Sequence, residues 1–135
     1  MENVVNQLIT WSKDLKVLYV EDDPALREEI SLFLNDIFKQ VDVASNGEEG
    51  LLKLAQNRYH LVITDIRMPI MDGLQLAEAA LNEKANLQIV LISGFSEFEY
   101  AKTAMKLGVK DYLLKPVNPV EFRNTMTRIA EQIMK

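Results

Sequence analysis

The sequence predicts an α/β fold in which helices cover both faces of a parallel β-sheet. Strand-like and helix-like patterns alternate five times along the 135 residues, and this alternation is typical of parallel sheets with right-handed crossovers. Three of the strand segments are continuous apolar runs, VLYV, LVIT and IVLIS, as expected for strands buried on both faces. No linker, repeat or low-complexity run divides the chain. We therefore expect one compact domain.

Local patterns place the individual elements. Strands are expected at residues 16–20, 40–44, 60–65, 88–93 and 111–114. Helices are expected from Pro24 to about Ile37, at 48–56, 74–83 and 97–107, and from Pro119 to about Met134, with Pro and Asn near helix starts and Gly108 after a helix end. In the second helix we expect Leu51, Leu52 and Ala55 to face inward. Five such strands fit the flavodoxin-like doubly wound order 2-1-3-4-5, whose ligand site lies between strands 1 and 3.

Composition excludes several classes of function. Fifteen basic and twenty acidic residues give a net charge of −5, which argues against direct nucleic-acid binding. The chain has no cysteine and one histidine, His60, so disulfides, thiolate chemistry and histidine-based metal sites are excluded. No apolar run approaches the ~20 residues of a membrane span, and the N-terminus lacks the basic start of a signal peptide. We expect a cytoplasmic protein without membrane contact.

Polar residues follow three of the predicted strands, each at the point where the strand ends. Glu21, Asp22 and Asp23 follow the first strand, Asp65 ends the third, and Lys115 follows the fifth. Open α/β sheets bind their ligands outside the carboxyl ends of the strands, so these side chains should meet at one edge. Acids, a nucleophilic carboxylate and a lysine together predict a phosphoryl-transfer site.

Five motifs carry a resemblance to a known family: VLYVEDD, ASNGEEGL, ITDIRMPIMDG, LISG and GVKDYLLKP. In this order and spacing, from about Leu15 to Met134, the chain resembles the receiver domain of two-component response regulators. The resemblance implies a signalling domain with self-catalysed phosphotransfer and autodephosphorylation, not an ordinary enzyme. It also implies a cis bond between Lys115 and Pro116. The implied residues are Asp65 as phosphoacceptor, Glu21 and Asp22 as acidic pair, Ser93 as hydroxyl donor and switch residue, Tyr112 as switch aromatic, and Lys115 as the site lysine.

A divalent cation is expected at this site, because clustered carboxylates would repel an anionic phosphoryl donor. Mg²⁺ prefers oxygen ligands and usually takes one or two protein carboxylates directly. We expect Asp22 and Asp65 to be direct ligands and Glu21 to act through water. The resemblance adds the backbone carbonyl of Arg67 as the third protein ligand. Asp23 is better explained as the residue that caps the helix beginning at Pro24.

Three other functions compete with this interpretation. A flavodoxin-type flavin protein would need a Ser/Thr/Gly-rich phosphate loop after the first strand, where this chain has EDD. A haloacid-dehalogenase-type phosphatase would need a second acid two residues after the nucleophile, where this chain has Arg67. The strongest alternative is a degenerate receiver that binds partners without phosphorylation. The complete acidic pair, Asp65 and Lys115 argue against it.

Two segments are expected: a helical N-terminal extension at residues 1–14 and the receiver domain at 15–135. Met1, Val4, Leu8, Trp11 and Leu15 form an apolar seam with helical spacing. The sequence is compatible with two roles for this seam: packing on the chain's own domain, or contact with a partner or a second copy. The expected partners are a sensor histidine kinase or phosphotransfer protein, and an output domain or effector protein.

Overall fold

The computed structural model describes residues 15–84, 86–94 and 98–134. In this part of the chain, five parallel strands form one sheet in the order β2-β1-β3-β4-β5. The strands are β1 (Lys16–Val20), β2 (Gln40–Ala44), β3 (Leu61–Asp65), β4 (Gln88–Ser93) and β5 (Asp111–Leu114). The predicted doubly wound, flavodoxin-like fold and its strand order are confirmed.

Helices connect successive strands and lie on both faces of the sheet. They are α1 (Pro24–Ile37), α2 (Gly47–Gln56), α3 (Gly73–Glu83), α4 (Phe98–Leu107) and α5 (Pro119–Met134). On one face, Tyr19 is buried with Leu34 of α1 and Phe122 of α5, and we call this group the α1/α5 cluster. On the other face, Leu18 is buried with residues of the other three helices, and we call this group the α2–α4 cluster; its helix residues include Leu54, Leu76 and Ala104. Successive residues of β1 therefore serve opposite faces, as strand geometry requires.

Helix α2 presents a different face to the sheet from the one that the sequence predicted. Leu54 is buried, whereas Leu52 is 58% exposed and Ala55 also faces outward. The cause is close backbone approach on the glycine face: a Cβ at Gly50 would lie 3.1 Å from Val20 Cγ2. The inward prediction for Leu52 and Ala55 was wrong, because two glycines and Leu54 define the packed face.

The N-terminal extension predicted for residues 1–14 lies outside the described residues, and so do all members of its apolar seam except Leu15. Leu15 is buried in the α1/α5 cluster directly before β1. Among the helices of the described residues, none has the length and apolar character required to cross a membrane.

Candidate functional site

The strand ends bring the predicted polar residues together at the carboxyl edge of the sheet. Carboxylate oxygens of Glu21, Asp22 and Asp65 lie within 4.8 Å of one another. Lys115 Nζ lies 3.1 Å from Glu21 Oε1 and 3.2 Å from Asp65 Oδ1. β1 and β3 are neighbours in the sheet, so the cluster sits where the strand order reverses, as expected for this fold.

Burial differs sharply among the acids of this cluster. Glu21 is 1% exposed and Asp65 is 6% exposed, whereas Asp22 is open to solvent. Buried carboxylates require compensation for lost hydration, and the ammonium of Lys115 provides it to two of them. The arrangement can hold a metal ion, since three carboxylate oxygens converge and one of the three residues faces solvent.

The pKa values of Glu21, Lys115 and Tyr19 follow from this geometry. Burial, together with the neighbouring Asp65, raises the pKa of Glu21 to about 7. Burial would lower the pKa of Lys115, but the carboxylates of Asp65 and Glu21 outweigh it and raise that pKa above its ordinary value. Burial, followed by the charge of Glu21, also raises the pKa of Tyr19, whose hydroxyl lies 3.4 Å from Glu21 Oε1. Lys115 therefore stays charged and Tyr19 stays neutral at ordinary pH.

A tight loop fixes the position of Asp65. Its Oδ1 accepts a hydrogen bond from the amide of Ile66 at 3.0 Å, and the Gly73 amide donates to the Ile66 carbonyl at 2.7 Å. A Cβ on Gly73 would lie only 2.1 Å from the Asp65 carbonyl oxygen. The chain therefore returns onto Asp65 so closely that only glycine fits. The Asp72-Gly73 pair is the sequence signal from which this turn could have been predicted.

Asp23 caps α1, as the sequence predicted. Its side chain accepts hydrogen bonds from the amides of Ala25 at 3.0 Å and Leu26 at 3.3 Å. The backbone amide of Asp23 in turn donates to Glu21 Oε2 at 3.2 Å. One residue thus ends the acidic segment, starts the helix and orients Glu21. Arg27 Nη1 also donates a hydrogen bond to the Glu21 carbonyl at 2.7 Å, a contact that the sequence did not predict.

Ser93 and Tyr112 lie on the same side of the sheet. Ser93 ends β4 and is buried, and its carbonyl accepts from the Lys115 amide at 2.8 Å. Tyr112 is half-buried on β5, aligned with Leu91, which lies two residues before Ser93 and so shares its face. The structure therefore places both residues on the face covered by the α2–α4 cluster.

Arg67 and Pro116 complete the surroundings of the site. Arg67, two residues after Asp65, is exposed, and its guanidinium carbon lies 5.7 Å from the centroid of the Tyr100 ring on α4. This cation–π contact links the loop after β3 to the first turn of α4.

The peptide bond between Lys115 and Pro116 is cis, which confirms the prediction.

The family model for the response regulator receiver domain matches residues 17–127. The chain belongs to the response regulator receiver family. Receiver domains are signalling domains of two-component systems and are not classical enzymes. The resemblance predicted from the five motifs is confirmed.

Similar proteins are regulators and receiver domains. The receiver domain is 44% identical over 92 residues to the uncharacterized transcriptional regulatory protein YesN of Bacillus subtilis (strain 168), which covers 68% of this chain and 25% of YesN. It spans between a quarter and about half of the length of the curated relatives that it matches.

Two solved structures illustrate the similarity of the fold. The N-terminal domain of an uncharacterized protein from Wolinella succinogenes is 35% identical with a TM-score of 0.83, covering 89% of this chain and 97% of that one. The CheY-like receiver domain protein from Methanospirillum hungatei JF-1 is 26% identical with a TM-score of 0.84, covering 90% and 98%. Each is almost fully covered, so the receiver domain matches whole solved domains.

Proposed function

We propose that this receiver domain accepts a phosphoryl group on Asp65 from a sensor histidine kinase or phosphotransfer protein. The observation that carries the proposal is the 3.2 Å contact between Asp65 Oδ1 and Lys115 Nζ, beside the acids Glu21 and Asp22. A buried carboxylate with a partner cation at the edge of a doubly wound sheet is suited to nucleophilic attack on phosphorus.

Asp65, Lys115 and Ser93 have different roles in the phosphoryl transfer. A carboxylate oxygen of Asp65 forms a bond to phosphorus while the bond from phosphorus to the donor's histidine nitrogen breaks. Lys115 then pairs with a phosphoryl oxygen and stabilises charge that spreads over the equatorial oxygens. Ser93, at the end of the neighbouring strand β4, would donate its hydroxyl to another of these oxygens.

The residues present fit Mg²⁺. All three converging side chains offer hard carboxylate oxygens, the ligand type that Mg²⁺ prefers. Asp22 and Asp65 would bind it directly, the backbone carbonyl of Arg67 would be the third protein ligand, and Glu21 would act through water. When bound, the cation neutralises repulsion that amounts to about 4 kcal/mol for two unit charges ~4 Å apart at a protein surface.

The proposal is tested by phosphorylation with acetyl phosphate. Intact-mass measurement should find one added phosphoryl group with Mg²⁺ present and none with EDTA. Asp65→Asn should abolish the addition, because an amide is not a nucleophile toward phosphorus. Asp36→Asn, an exposed acid on α1, is the matched control and should be modified like the wild type. Equal modification of the Asp65 variant would overturn the proposal.

Substitutions of the adjacent acids Asp22 and Asp23 should have different effects on Mg²⁺ binding. Asp22→Ala should weaken Mg²⁺ binding by at least on the order of tenfold, since even the outer partners of metal ligands contribute that much. Asp23→Ala should change it far less and should instead cost about 1 kcal/mol of stability through loss of the helix cap. Isothermal titration calorimetry and urea unfolding measure the two effects. A stronger loss of metal binding in Asp23→Ala would contradict this assignment.

We also propose that Ser93 and Tyr112 transmit phosphorylation to the surface formed by α4, β5 and α5, where an output domain, an effector or a second copy would bind. A hydrogen bond from Ser93 to the phosphoryl group would exist in one state and not in the other. Such a differential interaction is what shifts a two-state equilibrium. The shared sheet face of Ser93 and Tyr112 supports this coupling.

Ser93→Ala should therefore leave Asp65 open to phosphorylation while uncoupling it from Tyr112. NMR of the Tyr112 ring with and without beryllofluoride, a phosphoryl mimic, measures the coupling. The wild-type ring should change its environment and the variant ring should not. An unchanged wild-type ring would show that the domain does not use this switch.

A further inference from the structure

Tyr19 brings a polar group into the buried core directly beneath the acidic site. It is fully buried in the α1/α5 cluster, and its hydroxyl lies 3.4 Å from Glu21 Oε1. Glu21 follows Tyr19 by two residues, so both side chains leave the backbone on the same face. Phenylalanine would supply the same apolar ring, so the tyrosine hydroxyl is explained by its contact with Glu21, since a buried hydroxyl without a partner costs about 1–3 kcal/mol.

The two oxygens of Glu21 are held by different donors. Oε2 accepts from the Asp23 amide at 3.2 Å, while Oε1 accepts from Lys115 Nζ at 3.1 Å and from Tyr19. Lys115 is shared, because the same ammonium lies 3.2 Å from Asp65. Tyr19 approaches from within the core, where water does not reach it. Among the described residues, Lys115 and Tyr19 donate to Oε1, and of these Lys115 also contacts the phosphoacceptor Asp65.

We propose that Tyr19 is a positioning residue that holds the Glu21 carboxylate in place when Lys115 turns to the phosphoryl group. This inference rests on the proposed function, in which Lys115 pairs with a phosphoryl oxygen after transfer. Among the described residues, the hydroxyl of Tyr19 is then the donor that stays on Glu21 Oε1, a buried oxygen that needs a partner. Without this hydroxyl, Glu21 would lose its orientation toward the metal in the phosphorylated state in particular.

Tyr19→Phe tests the inference, since it removes the hydroxyl and keeps the ring in the core. Mg²⁺ affinity is measured by calorimetry in the free domain, and by the Mg²⁺ concentration that half-saturates formation of the beryllofluoride complex. The free domain should change less than about twofold, because Lys115 still covers Oε1. The beryllofluoride complex should require about three- to tenfold more Mg²⁺, the range that the loss of one hydrogen bond gives. The NMR signal of the Asp23 amide should also shift, as it reports on the same carboxylate.

Two controls separate positioning from general stability. Tyr59→Phe removes a hydroxyl that donates to Asp42 Oδ2 at 2.6 Å, away from the acidic site, and should leave both Mg²⁺ measurements unchanged. In a Glu21→Gln background, Tyr19→Phe should have no further effect on Mg²⁺ affinity, because the carboxylate that it orients is gone.

The outcomes distinguish this inference from the proposed function. A wild-type domain that forms no beryllofluoride complex with Mg²⁺ would overturn both. A wild-type domain that forms the complex, with Tyr19→Phe matching it in both affinities and in the Asp23 amide signal, would overturn the role of Tyr19 alone. An equal effect of Tyr19→Phe with and without Glu21→Gln would also overturn it, since the hydroxyl would then act elsewhere.

Discussion

Replacing Gly73 by alanine should destabilise the domain by about 3 kcal/mol, the upper end of the range for inserting a methyl group into a packed interior. The added Cβ would lie 2.1 Å from the Asp65 carbonyl oxygen and 3.0 Å from the Ile66 Cα. Both are backbone atoms, so no side-chain rotation can relieve the contact. The strand end must shift, and with it the carboxylate of Asp65.

The same variant should therefore be a poor phosphoacceptor even where it remains folded. A misplacement of about 1 Å can slow a reaction by about 100-fold, and acetyl phosphate labelling under native conditions measures this rate. Gly94→Ala is the matched control, because within the described residues its Cβ would meet Lys115 Cδ at 3.9 Å, an ordinary contact. A Gly73→Ala variant as stable and as reactive as Gly94→Ala would contradict the tight return of the loop onto Asp65.

Lys115→Ala should lower the free energy of unfolding by about 3 kcal/mol in EDTA, the lower end of the cost of removing one partner from a buried ion pair. The substitution leaves Glu21 and Asp65 buried without their shared cation. Mg²⁺ should then restore more stability to the variant than to the wild type, because it is the remaining cation that can compensate the two acids. A ligand stabilises the folded state in proportion to the logarithm of its concentration over its dissociation constant, so the tighter binding to the variant gives the larger gain.

Urea unfolding with EDTA and with Mg²⁺ measures both effects of the lysine substitution. Lys102→Ala, an exposed lysine on α4, serves as control and should behave like the wild type under both conditions. If Lys115→Ala were as stable as the control in EDTA, the ammonium would not be compensating the buried acids.

The fold could be predicted because its main signals are local. Apolar runs such as VLYV mark strands buried on both faces, and all five predicted strands are present with at most one residue of difference, at the start of β3. The positions of Glu21, Asp65 and Lys115 followed from one topological rule, since parallel strands bring their carboxyl ends to one edge. The strand order then placed the acids and the lysine together without any side-chain information.

What sequence reasoning missed depends on contacts between segments. The packed face of α2 was wrong because hydrophobicity alone ranked Leu52 above Gly50, although the glycine allows the close approach to Val20. The contact of Tyr19 with Glu21 was missed because an apolar strand pattern treats tyrosine as a core residue. Strand alternation, which places residues 19 and 21 on one face, was the signal that could have found it.

Chemical mapping identifies the residue that carries the phosphoryl group, which we expect to be Asp65. After phosphorylation, borohydride reduces an acyl phosphate and leaves the modified residue marked for peptide mass spectrometry. Cleavage after Arg58 and Arg67 gives the peptide 59–67, YHLVITDIR, in which Asp65 is the single carboxylate side chain. We expect the mark in this peptide. A mark in the peptide 17–27, which contains the three acids that follow β1, would contradict it.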